Sequence, residues 1–180
     1  PGMADTDLSG DNGMRWEELD QQPCSLARTL AVVGDRWTLL VLRDSFLGVR
    51  RFEEFERRLG ITRHILTDRL KKLVEHGVLQ RVPYQQRPVR EEYRLTEKGL
   101  ELYPVLMALV HWGDQHMADP RGAPVEHVHK GCGQRMRPVL TCSECGEAVS
   151  ARDVSVRQGA GWGDANIVPA TFRTDGRSGC

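Results

Sequence analysis

Two short segments in the C-terminal third carry metal-ligand chemistry: His129-Lys130-Gly131-Cys132-Gly133 and Cys142-Ser143-Glu144-Cys145-Gly146. Each offers two donor side chains separated by two residues, so one tight turn can aim both at one ion. Each is followed by a glycine, which tolerates the positive φ that such turns often need. Together His129, Cys132, Cys142 and Cys145 make the full tetrahedral set of a closed, structural Zn2+ site. His129 is preferred to His127 as the fourth ligand because it keeps the two-residue spacing to Cys132. A closed site leaves no open coordination position, which argues against hydrolysis at the metal. The chain also shows no nucleophile motif, glycine-rich phosphate loop or paired-acid constellation, so no enzyme is expected. Of five cysteines, only Cys24 and Cys180 lie outside this cluster. An odd number clustered at metal spacing does not resemble a secreted disulfide framework.

A second chemistry is contact with phosphate and base edges. Formal net charge is zero over 180 residues, which argues against a uniformly basic coat, but the charge is segregated. Residues 3–20 are acidic, whereas residues 50–90 hold eleven arginines and lysines against five carboxylates. Such a local basic face fits a protein that touches phosphate with one surface. Hydrophobic residues make up 39% and charged residues 28%, as in a soluble globular protein. No run approaches a membrane span and no signal segment opens the chain, so a cytoplasmic address without membrane contact is expected. Pro1-Gly2 ahead of Met3 reads as an expression scar.

These groups need elements to position them. Leu26, Leu30 and Val33 recur at helical spacing after Cys24, and Gly34 is a plausible stop. Asp35 can cap a second helix carrying Trp37, Leu39, Leu40, Val41 and Leu42, the expected buried centre. A third helix covers Arg51–Leu59, with Phe52, Phe55 and Leu59 on one face, and Gly60 breaks it. Thr62 caps a fourth helix reaching about His76. Its Ile65, Leu66, Leu70, Leu73 and Val74 face inward, leaving Arg63, His64, Thr67, Asp68, Lys71 and Lys72 outside. Val78–Val82 reads as a strand and Gln85–Pro88 as a loop tip. In a second strand Val89, Tyr93 and Leu95 share one face, opposite Arg90, Glu92 and Arg94. Thr96 then caps a long helix to about Met117, which Pro104 should bend or delay.

Helix, sharp turn, helix and two-stranded ribbon is the order of a winged helix-turn-helix. There the fourth helix would meet the major groove by its N-terminal end, and the ribbon tip would lie on phosphate or in the minor groove. Arg51, Thr62, Arg63, His64, Thr67, Lys71, Lys72 and Arg87 are therefore the candidate DNA contacts, with Arg63 the best placed to grip a guanine edge.

Over residues 24–117 the chain resembles HxlR-type transcription regulators. The resemblance rests on Cys24-Ser25-Leu26-Ala27-Arg28-Thr29-Leu30, Gly34-Asp35-Arg36-Trp37-Thr38-Leu39-Leu40-Val41-Leu42 and Arg51-Phe52-Glu53-Glu54-Phe55. It continues through Gly60-Ile61-Thr62, Leu66-Thr67-Asp68-Arg69-Leu70, Gly77-Val78-Leu79, Tyr93-Arg94-Leu95-Thr96-Glu97-Lys98-Gly99 and Trp112-Gly113. It implies a bacterial, dimeric winged-helix regulator, in most members a repressor, whose first and last helices build the dimer and whose helix 62–76 reads double-stranded DNA. In parts of the family a cysteine at the place of Cys24 senses oxidants or electrophiles. Cys24 is thus either a thiol sensor or a small residue packed in the dimer interface.

The expected fold is mainly α with a small β-wing, plus a zinc-knuckle module resembling a zinc ribbon. Residues 1–20 are an acidic, disordered N-terminus; 21–119 form the dimerisation and DNA-binding domain; 125–156 bind zinc; 157–180 are a flexible tail. The expected function is a sequence-specific DNA-binding regulator acting as a homodimeric repressor on a pseudo-palindromic operator, responsive to an oxidant or a small molecule. The alternative is a zinc-dependent protein-interaction adaptor on a winged-helix scaffold, against which the basic bias of residues 50–90 argues.

Overall fold

The computed structural model describes residues 20–117, 119–157 and 159–162. The acidic segment before Asp20 and the tail from residue 163, with Cys180, lie outside the described residues. The elements run α1 (Ser25–Val33), α2 (Arg36–Phe46), α3 (Phe52–Leu59), α4 (Arg63–Glu75), β1 (Leu79–Gln86), β2 (Val89–Leu95), α5 (Glu97–Leu100) and α6 (Tyr103–His116).

Local chemistry explains most of the boundaries. The Asp35 carboxylate accepts from the amides of Trp37 (2.9 Å) and Thr38 (3.2 Å), satisfying two free donors at the start of α2. Gly60 closes α3 in the left-handed region, and the Thr62 hydroxyl accepts from the Ile65 amide to open α4. Val41, Leu42, Phe55, Leu66, Leu70, Leu73 and Leu79 lie wholly inside, so α2, α3, α4 and the root of the hairpin share one core. Each such side chain stabilises the fold by roughly 1.5–3 kcal/mol.

The wing is an antiparallel hairpin in register from Leu79 opposite Leu95 to Gln86 opposite Val89. A bulge between Pro83 and Gln85 interrupts the pairing where proline has no N–H to donate. The Tyr93 amide donates to the Arg50 carbonyl (2.8 Å), tying the ribbon to the segment entering α3. Below the ribbon, the Thr96 hydroxyl donates to the Gly77 carbonyl (2.6 Å). Gly99 presses so close that an added Cβ would collide with the Val78 carbonyl oxygen.

Four expectations need correction. The final helix is two: Thr96 caps the single turn α5, and α6 starts later, with Pro104 in its first turn where a missing N–H costs nothing. β1 runs to Gln86, so the tip is only Arg87-Pro88. In β2 Val89 is exposed whereas Glu92 is buried, because the ribbon projects beyond the core while Arg94 (2.6 Å) and Arg50 (3.9 Å) hold the Glu92 carboxylate at its base. Finally, of the five apolar residues expected as the buried centre of α2 only Val41 and Leu42 are fully buried, Trp37, Leu39 and Leu40 are half-buried, and Thr38 and Asp44 lie wholly inside beside them. Asp44 accepts from Arg43 (2.9 Å) and from Arg58 on α3 (3.1 Å), so an ion cluster joins these helices. The hydrogen bond to Asp44 raises the Arg58 pKa.

Candidate functional site

The face that could meet nucleic acid is built on α4. Leu66, Leu70 and Leu73 pin one side of the helix into the core, which leaves Thr62, Arg63, His64, Thr67 and Lys71 exposed on the other. The α3–α4 turn holds the N-terminal end of α4 forward, where the free amides of its first turn favour an anion.

These side chains already have neighbours. The Arg63 guanidinium donates to Glu56 of α3 (3.0 Å) and lies over the Phe52 ring at 4.7 Å. His64 stands 3.5 Å from Asp68, one turn on, and Lys71 stands 3.7 Å from Glu75. Lys72 does not share the outward face: it is half-buried beside Asp35, Arg36 and Arg69 in a depression next to the start of α2. Arg69 donates to Asp35 (2.8 Å), locking α4 to the cap of α2. Burial pushes the Asp35 carboxyl up, but the Arg69 bond, the Thr38 and Trp37 amides and the Arg69 charge together hold it below its ordinary value.

The basic count of residues 50–90 therefore overstates the free charge. Arg50, Arg58, Arg63, Arg69, Lys71 and Arg81 are each paired with a carboxylate. Among the described residues Arg57, Lys72, Arg87 and Arg90 make no ion pair, and Arg51 stacks on Tyr84 of β1 at 4.5 Å. Arg51, Arg57, Tyr84 and Arg90 line a shallow cavity of about 700 Å3 between α3 and the ribbon together with Glu53, Glu54 and Glu91, so its charge is mixed, and Arg87 stands apart at the ribbon's tip. Arg57 and Arg90 were missed as candidate contacts. Their charge was visible, but which arginines lacked a carboxylate partner depends on the packing of α3 against the hairpin.

Cys24 is the N-cap of α1, half-exposed, with its carbonyl accepting from the Arg28 amide (3.0 Å) and no hydrogen bond from its side chain to the helix. Leu26 and Leu30 on α1, and Val105, Leu109 and Trp112 on α6, are exposed.

In the C-terminal segment both knuckles form. Gly133 (φ 69°) and Gly146 (φ 76°) adopt the left-handed conformation anticipated for them. His129 Nδ1 lies 3.3 Å from Cys132 Sγ. The amides of Cys145 and Glu144, and the Cys145 thiol, hold the Cys142 thiol below its ordinary pKa. Among the described residues no three His, Cys, Asp or Glu side chains converge into a ready-made ion cage, so the two pairs stand as separate half-sites. No described helix is long and apolar enough to cross a membrane.

Comparison with known proteins now bears on this arrangement. Residues 32–121 match the model of the HxlR-like helix-turn-helix family. The chain is 47% identical over 138 residues to Rv3095, an HTH-type transcriptional regulator of Mycobacterium tuberculosis, covering 77% of this chain and 87% of that protein. It is 34% identical over 105 residues to YdeP, an HTH-type transcriptional regulator of Bacillus subtilis, covering 58% and 82%. Among solved structures it is similar to PA1607, assigned as a transcription factor, with TM-score 0.70, 38% identity and coverage of 78% of this chain and 98% of that one. These relatives are regulators with a DNA-binding fold, which points away from an enzyme.

Proposed function

The chain belongs to the HxlR-like helix-turn-helix family of transcriptional regulators, and from that premise we propose that it is a homodimeric, sequence-specific repressor that reads a two-fold operator with α4. The observation that carries the reading is the clean division of α4. Three leucines are fully buried on one side, and Thr62, Arg63, His64 and Thr67 stand clear at the N-terminal end on the other. That end is the part of a reading helix that meets base edges. Arg63 then acts in two steps: Glu56 and Phe52 hold it in free protein, and a guanine edge replaces Glu56 on binding. Arg51, Arg57, Arg87 and Arg90 supply phosphate contacts along α3 and the wing, with Lys71 as a lesser contributor further from the reading end; Lys72, turned toward the start of α2, is left out of the contact set.

The dimer is assigned to α1 and α6. Val105, Leu109 and Trp112 recur at i, i+4 and i+7, forming an apolar stripe on α6 that this chain leaves exposed. A second copy laying the same stripe and α1 against it would form a two-fold dimer, and reading a two-fold operator requires that its two α4 helices lie on one face about one helical turn of DNA apart. Repression follows from occlusion of the promoter. Cys24 caps the start of α1; on this reading its oxidation disturbs the α1–α6 interface and moves the two reading helices out of register. No observation favours the zinc-dependent adaptor over this reading.

The test is footprinting on the promoter of the protein's own gene, followed by binding to the protected site and to scrambled DNA over a range of salt. A protected two-fold site and a steep salt dependence are expected. Equal affinity for both DNAs would sink the claim of sequence reading.

A further inference from the structure

The two knuckles are one structural unit written twice. Every backbone bond of the first recurs thirteen residues on. The Gly133 amide donates to the His129 carbonyl (2.8 Å), as Gly146 donates to Cys142 (2.9 Å). The His129 amide donates to the Gln134 carbonyl (2.9 Å), as Cys142 donates to Glu147 (2.8 Å). The Met136 amide reaches the His127 carbonyl, as Val149 reaches Leu140, and the bridge Val128–Arg135 is matched by Thr141–Ala148. The repetition extends beyond the donor residues, so it belongs to the backbone.

The side chains depart from the repeat at one informative place. Gly131 of the first knuckle corresponds to Glu144 of the second. A Cβ at Gly131 would press on the His129 ring, 2.8 Å from Cε1 and 3.4 Å from Nδ1. The larger imidazole occupies the space a side chain would take, and its Nδ1 is thereby turned toward Cys132 Sγ at 3.3 Å. Zinc bonds of 2.3 Å to sulfur and 2.0–2.1 Å to nitrogen put two ligands of a tetrahedron roughly 3.5 Å apart. The pair therefore stands near chelating separation.

Beyond these local bonds the described segment has no core of its own. None of the described residues from 119 to 157 is buried, and Val125, Val128, Val139, Leu140, Val154 and Val156 are all exposed. A segment without a core needs a cross-link.

We propose that the duplicated knuckles close on a single zinc ion within one chain, held by His129 through Nδ1 and by the thiolates of Cys132, Cys142 and Cys145. On binding, the three thiol protons pass to solvent, and the site carries one net negative charge. Gly131 is a positioning residue that sets which imidazole nitrogen faces the metal. Residues 134–141 connect the half-sites, and Arg135, Met136 and Pro138 among them wall a cavity of about 540 Å3 against Met107 and Val110 of α6.

The experiment is metal analysis of the full-length protein purified without chelator, with zinc as the probe and cobalt(II) as a spectroscopic substitute. About one equivalent of zinc per chain is expected, with cobalt giving the intense charge-transfer and visible bands of a tetrahedral site rich in thiolate. Cys132→Ser and Cys142→Ser each lose the metal, His127→Asn keeps it, and His129→Cys keeps it with a more thiolate-like cobalt spectrum. Gly131→Ala weakens zinc about tenfold. Wild-type protein without zinc but with its thiols freely reactive would overturn the proposal. So would equal loss on His127→Asn and His129→Asn, or one zinc per two chains. A thermal melt and DNA retention follow the winged domain separately, so failure here is distinguishable from failure of the DNA reading.

Discussion

The winged domain and the knuckle segment are held together in opposite ways. From α1 to the start of β1 the chain buries eleven apolar residues in one cluster, from Val33 to Leu79. From residue 119 to 157 nothing described is buried, yet two turns repeat one another bond for bond. The first region derives its order chiefly from long-range burial, which is cooperative, with the ion pairs at Asp35 and Asp44 tying its helices together. The second shows only local backbone bonds, which are weak alone; on the proposal above, a shared ion would join them. Damage to one should therefore leave the other standing.

The largest effect tests that independence directly. Phe55 is wholly buried among α2, α3 and α4, so Phe55→Ala should cost about 3–5 kcal/mol and unfold most of the winged domain near its usual melting temperature. Urea unfolding followed by helix signal measures the loss. Metal content should survive it, and joint loss would mean that the two regions fold as one.

A comparable effect is expected at the exposed stripe. Leu106 packs against the core, so a charge there would damage the fold. Leu109 is exposed and separates the two roles. Leu109→Glu should weaken self-association by about 3–5 kcal/mol by burying an unpaired charge, with the monomer's helix content unchanged. Sedimentation of wild type and variant decides it, and a monomeric wild type at micromolar concentration would remove the dimer from the reading.

Arg63→Ala comes next, at about 1–3 kcal/mol of operator affinity with relaxed preference at one base pair. Glu56→Gln sharpens this, because it frees Arg63 from its resting partner without removing it. Tighter binding of that variant would support the release step, and equal weakening in both variants would show that the pair merely braces α3 against α4.

The smallest effect is the pH dependence of the Asp35–Arg69 link. The folded carboxyl titrates below its unfolded value of about 3.9. Its contribution is thus complete above that pH and is lost as pH falls through the folded value. The stability difference between wild type and Asp35→Asn should be constant near neutrality and vanish on acidification below about pH 4. A difference that persisted at lower pH would show that Arg69 supports α4 by packing alone.

Much of this molecule follows from local rules. Asp35, Thr62 and Thr96 stand where α2, α4 and α5 begin, because a cap acts within three residues of itself. The inward leucines of α4 follow from helical period, and the left-handed glycines of the knuckles from the turn they close. Pairing across elements does not. Nothing in the local pattern of α2 marks Asp44 as buried, because its partner Arg58 comes from fourteen residues away. Glu92 alternated like a solvent residue until Arg50 and Arg94 enclosed it. Residue types and short spacings thus determined most of the elements and the knuckle turns by themselves. Which charges remain free to meet DNA was decided only by tertiary structure, because a charge is spent or available according to what packing places within about 4 Å of it.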